Sequence, residues 1–181
     1  MSNNKGRVIW VTGLSGSGKS TLANQVVTRL RAIGETIIML DGDEMRAVLG
    51  ATQANSENHG REGRLALAMQ YAKLCKLIAD QGVTVVCSTI SMFEEVHSWN
   101  RKNQPSYFEV YLKVPLSELR KRDPKGIYKR FDSGELKNVA GLDLPVDEPK
   151  QPDILFEFDP NLKLKQMVDD FMSKSNNKVN I

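Results

Sequence analysis

The sequence predicts an α/β fold, a parallel sheet with helices packed on both faces. Three observations carry that expectation. First, short apolar runs rich in β-branched residues alternate with longer stretches that repeat at helical spacing. Second, the first run, Val8-Ile9-Trp10-Val11, leads straight into Gly13-Leu14-Ser15-Gly16-Ser17-Gly18-Lys19-Ser20, with Thr21 and an apolar-striped segment behind it. That is strand, glycine-rich turn and helix, and the spacing fits G-x-x-x-x-G-K-[ST] without a gap. Third, the next strand-like run ends in Asp41-Gly42-Asp43, which puts two carboxylates at the same end of the sheet. Together these predict a P-loop NTPase-like sheet whose ligands collect at the carboxyl ends of its strands.

Val8 to Val11 is the first strand. Residues 19–33 read as the first helix, with Leu22, Val26, Leu30 and Ile33 as its buried stripe and Gly34 as its stop. Thr36 to Leu40 is continuously apolar, the pattern of a strand buried on both faces. A short helix over Glu44 to Leu49 and a polar loop over 50–61 follow. The long helix then runs to about Asp80, with Leu67, Tyr71, Leu74, Cys75 and Ile78 on one face, and Gln81-Gly82 closes it. Val83 to Ser88 is the next strand, and a helix begins near Ser91 to Glu94. Tyr107 to Leu112 is a further strand, and Pro115 sits at or near the first position of a helix through Arg122. Residues 123–152 change character: glycines space out a basic segment, then prolines break an acidic one. That is long for a connection inside a compact domain and predicts a functional segment. Ile154 to Phe158 is a short last strand. Leu162, Leu164, Met167, Val168 and Phe171 suggest a closing helix, with the polar tail from Ser173 frayed. No internal repeat is visible, and 181 residues suit a single domain.

A net charge of +3 is too weak to imply nucleic acid. No stretch approaches the ~18 apolar residues of a membrane span, and residues 1–7 leave no room for a signal peptide before the first strand. A cytoplasmic protein is expected. Cys75 and Cys87 both fall on apolar faces and read as small core residues. His59 and His97 form no ligand-like pair, so no zinc site is expected.

The glycine-rich turn carries the first chemistry. Its glycines let the backbone aim N–H groups at one point, and the helix N-terminus adds free donors and a positive dipole end. Gly13 to Thr21 would therefore bind the phosphates of ATP. Lys19 would reach the β- and γ-phosphates, and the Ser20 hydroxyl would ligate magnesium (Mg2+). Asp41 and Asp43 can hold magnesium through water or accept a proton from an attacking hydroxyl; an Asp-Gly turn capping the next helix is the plainer alternative. Arg46 would point toward the same rim. Arg61 and Arg64 open the long helix, where cations oppose the macrodipole, so either an anionic ligand or simple solvent exposure accounts for them. Arg120, Lys121, Arg122, Lys125, Lys129, Arg130 and Lys137 bias the segment over 123–141 toward positive charge. It reads as a basic lid that neutralises phosphates and excludes water, against the alternative of a solvated basic face.

Several stretches together resemble the adenylyl-sulfate kinase family. They are Gly13 to Thr21, Leu40 to Asp43, Arg46, Ile90-Ser91, Arg122 to Lys129, Gly134 to Lys137 and Gly141 to Asp143 with the proline-rich loop beyond. The resemblance runs from about residue 6 to 160. It implies transfer of the γ-phosphate of ATP to the ribose 3′-hydroxyl of a nucleotide, with magnesium. It also implies roles: Asp43 contacts or deprotonates the 3′-hydroxyl, Asp41 holds magnesium through water, and Arg122 joins the ATP-binding set. Arg46, Arg64, Ile90, Ser91, Lys125, Lys137 and the position of Val139 would form the acceptor site. Ser91 matches a serine that some members phosphorylate, and a homodimer is implied by the same analogy.

The departures fall on the acceptor side. The family opens its long helix with R-x-x-N-I-R-R. Here Arg64 matches the first arginine, Leu67 stands for the asparagine and Met69-Gln70 for the arginine pair. The family's lid phenylalanine, which stacks on the acceptor adenine, is Val139 here, and residues 50–60 hold no aromatic for the other side of that stack. Base–aromatic stacking is worth ~1–3 kcal/mol per base, so affinity for adenylyl sulfate should suffer. Thr89 to Phe93 and Asn100 to Asn103 are similar to the cytidine diphosphoramidate kinase branch of bacterial capsule biosynthesis. That acceptor is preferred, with adenylyl sulfate as the alternative. A P-loop kinase of another hydroxyl compound and a non-catalytic nucleotide switch are the remaining readings.

Overall fold

The computed structural model describes residues 5–50 and 60–178, with side chains to 175. Its strands are β1 (Val8–Thr12), β2 (Ile37–Asp41), β3 (Thr84–Ser88), β4 (Tyr107–Lys113) and β5 (Ile154–Glu157). All pair in parallel, in the order β2-β3-β1-β4-β5. The helices are α1 (Lys19–Ala32), α2 (Gly42–Val48), α3 (Arg61–Ala79), α4 (Glu94–Asn103), α5 (Leu116–Arg122), α6 (Ile127–Asp132) and α7 (Leu164–Lys178). Parallel strands need crossovers, and helices placed there cover both faces of the sheet.

β1 shows how the two faces divide. Ile9 and Val11 pack with Leu22, Val26 and Leu30 of α1 and Phe171 of α7. Val8 and Trp10 pack with Tyr71, Ala72 and Cys75 of α3 and Val96 of α4 on the other side. The chain leaves β1 for β2, then returns to place β3 between them, and only then crosses to β4. The carboxyl ends of β1, β2 and β3 therefore converge on one crevice.

Four expectations need correction. β2 is an edge strand, so it is not buried on both faces and Ile38 is 39% exposed. α1 stops at Ala32, and Ile33 lies outside its stripe at 62% exposure because Gly34 has already turned the chain. Leu74 faces solvent while Ala68, Tyr71, Ala72 and Cys75 take the core face of α3, a rotation of the stripe by about one residue. The closing helix runs through Ser173 to Lys178 and buries Ser175, so the tail is helical where fraying was expected. Most of the loop over 50–61, with His59, lies outside the described residues.

α7 is held chiefly by Phe171, fully buried with its ring edge-on to Phe108 at 5.4 Å between centroids. Phe171→Ala should cost about 3–5 kcal/mol, read as a lowered urea midpoint with an unchanged slope. A loss under about 1 kcal/mol would show that α7 is not integral to that face.

Candidate functional site

The glycine-rich turn closes onto α1 through backbone conformations that side chains rarely adopt. Gly16 and Gly18 have φ of 78° and 96°. At Gly13 the constraint is close approach: a Cβ there would sit 2.6 Å from the Leu112 carbonyl oxygen of β4. Ser15, Gly16, Gly18, Lys19, Ser20 and Thr21 line a cavity of about 590 Å³. Gly13, Leu14 and Ser17 do not line it; Ser17 is buried beneath the loop. Lys19 Nζ donates to the Leu14 carbonyl at 2.8 Å, so its ammonium folds back over the loop. Burial first, then the like charge of Lys125, pull the Lys19 pKa down to about 8 against the attraction of Asp43 and Asp41.

Asp41 closes β2 and begins α2. One carboxylate oxygen accepts from the Asp43 amide at 2.9 Å, which makes it the helix N-cap; the other accepts from the Ser20 hydroxyl at 2.6 Å. The capping alternative and the functional placement therefore both hold at this residue. Ser20 and Asp41 are oxygen donors in contact, which suits magnesium, a cation held by few protein oxygens together with phosphates and water. Asp43 projects into the same cavity and pairs with Lys125 of the lid and, at 3.6 Å, with Arg46. Burial alone would raise its carboxyl, but Lys125, Arg46 and Lys19 outweigh that and hold it below the usual value.

The segment over 123–141 lies across this cavity. Asp123 accepts from the Tyr128 and Lys129 amides at 3.2 and 2.9 Å and so starts α6. The Tyr128 hydroxyl, buried and with its pKa pushed up to about 12 by burial and then by Asp123, donates to the Ser15 carbonyl at 2.9 Å. Gly141 (φ 82°) lies so close to the turn that a Cβ would meet Leu14 at 2.7 Å. The Asp143 carboxylate accepts from the Asn138 and Val139 amides at 2.7 and 2.6 Å and fixes that stretch. Arg122, Lys125, Arg130, Lys137 and Val139 line the cavity. The positive bias is largely neutralised within the lid's own neighbourhood: Arg120 pairs with Asp132, Lys121 and Arg122 with Glu118, and Arg130 with Glu135. Arg122 also lies over the Phe158 ring at 5.1 Å.

A second cavity, about 300 Å³, adjoins the first through Arg46, Arg64, Thr89, Ile90 and Ala140, which line both. Leu67, Gln70, Tyr71, Ser91, Met92, Phe93, Leu144, Pro145 and Val146 are among the other residues of its wall. Ser91 has φ of 32°, a strained conformation, and its hydroxyl meets that of Thr89 at 2.8 Å. Arg64 donates to the Asn138 carbonyl at 2.7 Å, and burial, then the like charge of Arg46, lowers its pKa. Thus Arg46, Arg64 and Ile90 sit at the junction, Ser91 in the smaller cavity, and Asp43, Lys125, Lys137 and Val139 in the larger. Arg61 is partly exposed, as the solvent alternative expects, but already paired with carboxylates: Glu95 at 3.2 Å and Asp147 at 3.1 Å. Helical periodicity assigns Tyr71 to the core alone, yet it also lines the smaller cavity. Phe93, Leu144 and Pro145 are wall residues to which the sequence assigns no site role, although Phe93 and Pro145 fall in stretches that carry the family resemblance.

A family model for adenylylsulphate kinase matches residues 5–157. A cytidine diphosphoramidate kinase of Campylobacter jejuni is 40% identical over 150 residues, covering 83% of this chain and 85% of that protein. An adenylyl-sulfate kinase of Clostridium acetobutylicum is 39% identical over 158 residues, covering 87% and 77%. The structure is similar to that of the Mycobacterium tuberculosis APS kinase solved in complex with AMPPNP and APS, at a TM-score of 0.84 and 31% identity over 95% of this chain and 98% of that one. The chain belongs to the adenylylsulphate kinase family, phosphotransferases that act on a nucleotide hydroxyl with ATP and magnesium.

Proposed function

We propose that the chain transfers the γ-phosphate of ATP to the ribose 3′-hydroxyl of a nucleotide and that cytidine diphosphoramidate is preferred to adenylyl sulfate. The larger cavity takes ATP, with phosphates on the Gly13–Thr21 turn and Lys19. Magnesium, held by Ser20 and Asp41, would offset phosphate charge. The acceptor occupies the smaller cavity, its anionic group at Arg46 and Arg64, which line that cavity together. Asp43 lines the larger cavity, paired with Arg46 of the junction, and takes the proton of the hydroxyl as the new O–P bond forms and the bond to the ADP oxygen breaks. Lys125 has to leave Asp43 for this, and the arriving phosphates offer it a stronger partner.

The observation that carries the acceptor choice is the wall of the smaller cavity. Leu67 and Gln70 line it where adenylyl-sulfate kinases carry asparagine and arginine, and Val139, in the adjoining larger cavity, stands for the stacking phenylalanine. Tyr71 and Phe93 do line the cavity, but the face of Phe93 already carries the Arg61 guanidinium at 5.4 Å. A smaller pyrimidine with fewer polar demands fits this lining better than adenine does. The homodimer and the cytoplasmic setting belong to the same proposal. Exposed Leu74 and Leu77 on α3 support the first; buried, unpaired Cys75 and Cys87 support the second.

Initial rates of ADP release decide the acceptor. Cytidine diphosphoramidate should give a kcat/KM at least about tenfold above adenylyl sulfate, the size of one lost stacking contact; equal or better use of adenylyl sulfate would sink the preference. Asp43→Asn should lower kcat by about 10²–10⁴-fold with ATP still bound, and an unchanged rate would remove its role as base. ATP binding should also depend on pH. Free Lys19 loses its proton as pH rises through about 8, and bound phosphate favours the ammonium, so binding takes up a proton and weakens on the alkaline side. Calorimetry above pH 8 in buffers of different ionisation enthalpy checks this; no proton uptake would refute it.

A further inference from the structure

We propose that the buried His97–Glu109 pair positions the wall of the smaller cavity, one proton held by the pair letting His97 donate to the Asp147 carbonyl and clamp Leu144 to Asp147. The proposal rests on reading that cavity as the acceptor pocket. His97 lies on α4 and Glu109 on β4, at 6% and 2% exposure. His97 Nδ1 meets a Glu109 carboxylate oxygen at 2.7 Å, and Nε2 meets the Asp147 carbonyl oxygen at 3.2 Å. A carbonyl only accepts, so Nε2 has to carry a proton. The Nδ1 contact then needs a second proton, on the ring or on the carboxyl, because a bare nitrogen facing a carboxylate repels it. The pair thus holds one proton more than a neutral ring beside a carboxylate.

Other donors also face Glu109. Glu109 accepts from the Tyr107 hydroxyl at 2.8 Å on β4 and from Arg101 at 3.2 Å on α4, which stabilises the carboxylate. Asp153 meets the same Arg101 and accepts from the Glu109 amide. Glu94 lies one turn away on α4, with Asp147 and its partner Arg61 beyond it. Asp147 is the anchor of the wall. Its amide donates to Met92 at 2.9 Å, its carboxylate accepts from Arg61 and the Glu94 amide, and its carbonyl receives His97. Leu144, Pro145 and Val146, just before it, line the cavity. Without His97 Nε2–H the carbonyl is left unpaired in a part-buried site and the wall is free to shift.

Two measurements need no substrate. In ¹⁵N spectra near neutral pH, His97 Nε2 should carry a proton; a bare Nε2 overturns the proposal. Amide exchange at Asp147 should speed up at least about tenfold in His97→Phe, a tenfold opening being 1.4 kcal/mol. His97→Gln, which keeps an N–H at that reach, should recover part of it. Unchanged exchange in His97→Phe, or equal exchange in both variants, overturns it; if His97→Phe does not fold, the spectrum and His97→Gln still decide. In turnover, His97→Phe should raise the acceptor KM severalfold with the ATP KM within twofold. A loosened wall with an unchanged acceptor KM would leave the clamp standing and refute the acceptor reading of the cavity.

Discussion

The structure depends on holding one buried ammonium, that of Lys19, at the N-terminus of α1, where a helix's first N–H groups have no partner within it. Such a point is anion-binding and is costly to build without an anion present, because its donors repel one another. Backbone conformations open mainly to glycine at Gly16 and Gly18 make the turn; the close approach of Gly13 to the Leu112 carbonyl anchors it to the sheet. Lys19 shows the cost directly. Its charge is opposed by burial and by Lys125, and it meanwhile bonds the loop's own Leu14 carbonyl. The surrounding carboxylates do not cancel this cost, so the site is primed for a polyanion.

The lid solves the matching problem on its own side. A basic segment facing a basic loop would repel it, yet Tyr128 and Gly141 dock directly on the turn. Docking is tolerable because Arg120, Lys121, Arg122 and Arg130 are paired with carboxylates, leaving their summed field weak. Those pairs are partly or largely exposed and individually worth little, so phosphates can displace them. Lys125 differs, because its partner is Asp43 itself. The same ammonium that lies beside Lys19 therefore also neutralises the Asp43 carboxylate.

Much of this was legible in the chain. The glycine spacing, the Asp41-Gly42-Asp43 step and the alternation of apolar runs locate β1, β2 and the crevice because each is a local pattern with a local cause. The errors at Ile38 and Leu74 share one origin. Both residues are apolar, and apolarity does not say which strand is the edge or how a helix is rotated on the sheet; strand order settles both, and strand order is not local. The smaller cavity was legible only in part. Arg46, Arg64 and Ser91 carry motif signals, whereas Phe93, Leu144 and Pro145 reach the wall by tertiary packing from segments about fifty residues apart.

That difference has a physical counterpart in how the two cavities are held. The turn in the larger cavity is fixed by backbone geometry, through the positive φ of Gly16 and Gly18 and the close approach of Gly13 to Leu112. The smaller cavity is fixed by side chains: Arg64 on the Asn138 carbonyl, and Asp147 tied to α3 and α4. A buried carboxylate such as Glu109 costs several kcal/mol of desolvation unless its donors are all in place, so the network beneath the wall resists piecemeal change. Residues on the cavity surface, such as Leu67, Gln70 and Val139, carry no such obligation. A family built this way can alter its acceptor by substituting the lining while the phosphate turn above and the polar network below stay as they are.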